Sequence, residues 1–238
     1  IFHYQIAHEI RLQQAMEDNL LCPFHYFGII EVISLDDKTL QAAKLTDEEF
    51  NQLTSDERVR HVIEQSEYYG YSGDRVRGLI FCSRVKECEE LSRKFNALGY
   101  RTIALSGADN EEKRQEAFER LAMDEADATE EMQPLDYIFS RDILNEGVDI
   151  VEVNQVIMLR PTQSPIVFIQ QLGRGFRKAP GKEYVVILDF IGNYNNNFMI
   201  PVALSGDRSY NAEVIRKYVI SGNSTIPEIG RASCRERV

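Results

Sequence analysis

Residues 78–105 read GLIFCSRVKECEELSRKFNALGYRTIAL, and the rhythm of that stretch changes twice. GLIFCS (78–83) is a short continuous apolar run, the signature of a strand buried on both faces. VKECEELSRKFNALGY follows, with Cys88, Leu91, Phe95 and Leu98 on one helical stripe and Gly99 at its end. RTIAL (101–105) is a second strand. A strand, a helix and a strand in this order predict a parallel pair joined by a crossover helix.

The same alternation runs on toward the carboxyl terminus. NEEKRQEAFERLAM (110–123) reads as a second helix, and DYIFS (136–140), QVIML (155–159) and YVVILDF (184–190) as three more buried strands. Ser164 with Pro165 marks a helix start. The predicted fold class is therefore α/β, a parallel sheet with helices on both faces, and ligands belong at the carboxyl ends of its strands.

Toward the amino terminus the pattern is less regular. HEIRLQQAMEDNLL spaces Ile10, Leu12, Met16, Leu20 and Leu21 helically, and CPFHYFGIIEVISL reads as a strand. Thr46 and Glu49 form a capping box ahead of a helix running toward Tyr69, which Gly70, Ser72 and Gly73 break. These elements are too few for a core of their own, so residues 1–75 are expected to act as a connector packed on the sheet domain or on its missing neighbour. The chain starts at Ile1, not Met, which reads as a fragment of something longer. RASCRERV (231–238) reads as vector-derived, giving a tail at 230–238 and a main domain at 76–229.

Composition narrows the setting. With 238 residues, 43% of them hydrophobic, one good core is affordable, and no apolar stretch approaches the ~18 residues of a membrane span. Cys22, Cys82, Cys88 and Cys234 make no CxxC pair, and His3, His8, His25 and His61 stand at no zinc spacing. No metal site is expected, and the cysteines read as thiols of a cytoplasmic protein. The net charge of −11 is uneven: residues 1–133 hold 15 Lys+Arg against 27 Asp+Glu, residues 134–238 hold 12 against 11. Part of that excess lies in MDEADATEEMQ (123–133), which reads as a solvated loop.

Three constellations fall at strand ends. FCSR (81–84) brings Ser83 and Arg84; FSRDILNEGVDI (139–150) brings Ser140, Asp142, Gly147 and Asp149; FIQQLGRGFR (168–177) ends a helical run in Arg174 and Arg177. Each has an ordinary explanation. Ser83 and Asp142 suit helix caps, Gly147 a positive φ, and the two arginines the negative end of a helix dipole.

In succession, however, the three resemble motifs IV, V and VI of superfamily 2 helicases. Gln170, Gly173, Arg174, Gly175 and Arg177 match QxxGRxxR at each defining position, and the likeness covers roughly residues 76–190. It implies a RecA-like second motor domain. The flanks RLQQAMEDNLLCPFHYFG and GKEYVVILDFIGNYNNNFMIPVALSGDRSYN resemble a narrower bacterial group of the restriction-enzyme-subunit type. In that group the motor is often joined to an upstream phospholipase-D-like nuclease module, of which no motif is present here.

The resemblance implies roles. Arg177 matches the main arginine finger and Arg174 the accompanying one, placing positive charge where γ-phosphate oxygens gain charge in the transition state. Gln170, Gly147, Asp149 and Gly173 match positions lining the nucleotide cleft. Ser83, Arg84, Ser106, Gly107 and Ser140 match positions holding a nucleic-acid backbone, DNA by the group resemblance, through phosphate and without base readout. Two departures are Arg141, where relatives carry a small or hydroxyl residue, and Val151, where many carry proline. ATP and Mg²⁺ are the implied cofactors, and an upstream motor domain of the same polypeptide the implied partner.

What the chain lacks limits its role. It has no GxxxxGK[ST] to wrap phosphates and no DExx or DExH stretch to hold magnesium and the attacking water. Half an ATPase site is the favoured reading. The alternative is a degenerate RecA-like scaffold for protein or nucleic-acid docking, which would have no need of two guanidiniums at finger spacing.

Overall fold

The structure, a computed structural model, describes residues 21–30, 45–141, 150–160 and 177–191. Its strands are β1 (Phe24–Ile30), β2 (Gly78–Phe81), β3 (Thr102–Leu105), β4 (Tyr137–Ser140), β5 (Gln155–Met158) and β6 (Val185–Ile191). Its helices are α1 (Asp47–Leu53), α2 (Asp56–Tyr69), α3 (Val85–Ala97) and α4 (Glu111–Ala122), with a 3₁₀ turn at Glu125–Asp127. The strands form one parallel sheet in the order β1-β6-β5-β2-β4-β3.

The continuous apolar runs behave as burial on both faces requires. Leu79 and Phe81 of β2 face one core with Ala117, Phe118 and Leu121 of α4. Ile80 and Cys82 face the other, with Val59 and Val62 of α2 and Cys88, Leu91 and Phe95 of α3. Helices thus cover both faces, as the alternation predicts. α3 closes in a Schellman arrangement: Tyr100 N–H donates to Phe95 O at 3.1 Å and Gly99 N–H to Asn96 O at 3.1 Å, with Gly99 at φ +96°. Leu98, placed on the buried stripe by its spacing, is instead 57% exposed, because the helix ends beneath it.

Two further features depart from the sequence expectations. The helix running from Thr46 toward Tyr69 is two helices. Thr46 and Glu49 do form the capping box of α1, but Thr54 ends it and Ser55 caps α2, its hydroxyl accepting from Arg58 N–H at 3.2 Å. The strand read from CPFHYFGIIEVISL pairs in parallel with β6 as an edge of the main sheet, Phe24 opposite Val185. The loop after α4 is exposed, as its composition predicts. The helices read at 8–20 and from Ser164, and the Asp142–Asp149 loop, lie outside the described residues.

Close approach fixes one glycine. Gly78 of β2 stands opposite Tyr137 of β4, and a Cβ there would collide with the Tyr137 ring. That ring cannot swing aside, since Tyr137 is buried and its hydroxyl donates to Gln155 Oε1 at 2.7 Å. Gly78→Ala should therefore lower stability by about 1–3 kcal/mol, the usual range for overpacking, read as an earlier urea midpoint at unchanged slope. An unmoved midpoint would show that the sheet yields at this crossing.

Candidate functional site

Parallel strands present their carboxyl ends on one rim, and the register aligns it. Leu105 of β3, Ser140 of β4, Phe81 of β2 and Met158 of β5 stand in one row. The residues that follow are Ser106–Gly107, Arg141, Ser83–Arg84 and Leu159–Arg160. The structure thus gathers Ser83, Arg84, Ser106, Gly107 and Ser140 at one edge from three separated stretches of chain.

Each position is held differently. Ser83 does not cap α3: the cap residue is Arg84, with no side-chain capping bond. Instead Ser83 N–H donates to Glu87 Oε2 at 2.9 Å, while the Ser83 hydroxyl is shut from solvent without a hydrogen-bond partner among the described residues. Glu87 in turn accepts from Arg58 Nη1 at 2.8 Å, both side chains being almost fully buried. Ser106 and Asp109 form a reciprocal turn: Ser106 N–H donates to Asp109 Oδ2 at 2.6 Å, and Asp109 N–H to Ser106 O at 3.1 Å. The Lys113 ammonium, 2.5 Å from Asp109, holds that carboxyl below its ordinary range, with help from Ser106 N–H. Gly107 has an ordinary φ, and a Cβ there would meet only open space. Ser140 is fully buried, and its carbonyl accepts from Cys82 N–H at 3.0 Å; Arg141 beside it is exposed.

Arg177 is exposed, and the segment that follows it is fastened from Lys182 onward to the amino-end side of the sheet. There Lys182 Nζ donates to Val153 O at 3.1 Å, Glu183 N–H to Ser72 Oγ at 2.7 Å, and Val185 N–H to Pro23 O at 2.9 Å. Gly147, Asp149, Gln170, Gly173 and Arg174 lie outside the described residues.

The letters Asp-Glu-Ala-Asp do occur, at 124–127, against the expectation that the chain has no DExx stretch. Their setting separates them from magnesium chemistry. They form an exposed 3₁₀ turn between α4 and β4, far from the carboxyl end of any described strand. Glu125 is engaged by Arg101, at 2.9 Å from Nη1, and Asp124 by Arg77. They brace a loop.

Sequence reading missed the buried charges. Arg58 shares the inward face of α2 with Val59, Val62 and Ser66, a helical phase that could have revealed it. Asp189 of β6, opposite Met158 and Gly28, is buried and accepts from Tyr26 Oη at 2.6 Å. Burial pushes its carboxyl up to about 6, although the Tyr26 hydrogen bond pulls the other way. Nothing in the run YVVILDF signals whether its acid is inside or out.

Residues 57–179 match the helicase conserved C-terminal domain family. The chain belongs to that family. It is 35% identical over 71 residues to "Putative ATP-dependent helicase IRC3" of Saccharomyces cerevisiae (strain ATCC 204508 / S288c), covering 30% of this chain and 10% of that protein. The structure of the ATP-dependent Type ISP restriction-modification enzyme LlaBIII bound to DNA aligns with TM-score 0.56 at 18% identity, covering 83% of this chain and 15% of that one. A fragment of "a putative HsdR subunit of a type I restriction enzyme from Vibrio vulnificus YJ016" aligns with TM-score 0.59 at 19% identity, covering 78% and 35%. At such identities the structural likeness shows the fold alone, a RecA-like α/β domain. The chain spans only a small part of these relatives' lengths.

The buried Asp189 gives a pH signature. Its folded pKa of about 6 lies above the ordinary 3.8, so the folded state binds the extra proton. Stability should fall as pH rises from about 4 to about 6, by roughly 2–3 kcal/mol at most, and level off above. Asp189→Asn should lack that step in thermal midpoints measured across this window. An identical pH profile in both proteins would mean that folding does not raise the Asp189 carboxyl.

Proposed function

We propose that this chain is the second motor half of an ATP-dependent nucleic-acid helicase or translocase, working with a first motor domain of the same polypeptide. The observation that carries the reading is the single rim on which Ser83–Arg84, Ser106–Gly107 and Ser140–Arg141 converge. The half-buried Ser106 and Arg84, with the exposed Gly107 and Arg141, suit a phosphate backbone and carry no base code, and the buried Ser83 and Ser140 hydroxyls lie beneath them. Family membership supports the motor, and LlaBIII, an enzyme bound to DNA, makes DNA the first nucleic acid to test.

In this reading Arg177 and Arg174 are the arginine fingers, and Gln170, Gly147, Asp149 and Gly173 line the nucleotide cleft. Residues 1–75 on this reading lead in from the first motor domain and lend β1 and α2 to the second, 76–229 make up the rest of it, and 230–238 are a foreign tail. The exposed Arg177 fits a nucleotide offered by a neighbouring domain, while the rim holds the track. In this reading Mg²⁺ and the phosphates of ATP are held mainly by the first motor domain. No described helix is long and apolar enough to cross a membrane, and Cys22, Cys82 and Cys88 are buried free thiols, which fits a reducing cytoplasm.

Arg177→Ala in the complete polypeptide should cut nucleic-acid-stimulated ATP turnover by roughly 10³ to 10⁵, as finger loss does in phosphoryl transfer, with nucleotide affinity largely kept. Turnover and nucleotide binding are measured side by side. Unchanged turnover would remove Arg177 from the chemistry.

A further inference from the structure

Arg58 occupies a costly position. It lies in the first turn of α2, where the helix dipole favours anions, and its side chain is 1% exposed. Stability alone does not ask for such a pair, since well-packed apolar residues of similar volume are often as stable or more so. The donors of Arg58 reach three elements: Leu53 O at the end of α1 (2.8 Å), Glu87 Oε1 in α3 (2.8 Å) and Leu159 O just past β5 (3.1 Å). The second oxygen of Glu87 takes Ser83 N–H at 2.9 Å. A rigid planar fork therefore sets where Ser83–Arg84 stands relative to Leu159–Arg160, the segments leaving two neighbouring strands. The Ser83 backbone is pinned, and its buried hydroxyl has no hydrogen-bond partner among the described residues.

We propose that Arg58 and Glu87 are positioning residues for the nucleic-acid contact at Ser83–Arg84: buried beneath the rim, they touch no nucleic acid and fix the loop that does. This rests on the functional reading above. A pair that served only to hold the helices would matter for stability and leave nucleic-acid binding alone.

The test uses the complete polypeptide and the Arg58→Met/Glu87→Met double variant, which removes both charges together and leaves neither buried alone. Binding to single-stranded DNA is titrated against salt, and thermal midpoints confirm folding. The expected result is affinity about ten-fold weaker, with a log–log salt slope shallower by about one, the mark of one lost phosphate contact. The DNA concentration for half-maximal ATPase stimulation should rise by the same factor, with turnover at saturation within about two-fold of the parent. Hydrogen exchange at the Ser83 amide should quicken. Where the double variant unfolds, Arg58→Lys, which keeps a cation beside Glu87 and loses the planar fork that reaches Leu53 O and Leu159 O, should show a smaller loss in the same direction. A folded variant with parental affinity and slope overturns the inference, although the functional reading survives. A parent that binds no nucleic acid and is not stimulated by it overturns the functional reading, and this inference with it.

Discussion

The Arg58–Glu87 ion pair, 2.8 Å long and closed to water, is the constraint on which the carboxyl-end rim depends. Burial raises the Glu87 carboxyl above its ordinary range, while Arg58 and the Ser83 N–H oppose that rise. The charge is tolerable only while every partner stays in place. Losing one member alone would cost about 3–5 kcal/mol, because the other would be left buried and uncompensated. Through this pair α1, α2, α3 and the exits of β2 and β5 share one geometry. Polar residues organise the opposite rim as well. Asn154 accepts from Arg77 N–H at 2.8 Å and donates to Ser72 O and Arg75 O, while Gln155 donates to Ser66 O and Gly70 O.

Much of this fold was legible because burial on both faces leaves a local mark. GLIF, TIAL, YIFS, QVIM and VVILDF are continuous or nearly continuous apolar runs, and each is a strand. The stripe Cys88–Leu91–Phe95 and the turn at Gly99 are similarly local. Pairing is not local. Nothing in FHYFGII says that it lies beside residues 185–191, more than 150 positions away, so the edge strand read as part of a connector. The break at Thr54–Ser55 was hidden because one residue later the helical pattern resumes with a fresh cap.

The site was legible in kind more than in detail. Spacing placed Ser83, Ser106 and Ser140 at strand ends, and the register sets those ends in one row. It could not tell that Ser140 is buried while Arg141 is exposed, or that Ser83 holds its helix by the backbone and not the hydroxyl. Arg58 and Asp189 escaped notice because a single charged letter inside a helix or strand usually faces water. Asp124–Asp127 escaped notice too, with no consequence for the site. Four letters of a well-known spelling carry no chemistry when they lie on an exposed turn with two of their acids engaged by arginines.

In the function proposed, this chain supplies one side of a nucleotide site and a track for nucleic acid, and phosphate-wrapping and magnesium-holding groups belong to another domain. The decisive measurement is ATP turnover by the chain alone, with and without single-stranded and duplex DNA, on material whose cooperative unfolding shows it to be folded. The predicted result is no turnover above buffer under any of these conditions. Robust hydrolysis that disappears with Arg177→Ala would contradict it, because a complete phosphate-binding site would then lie within these 238 residues.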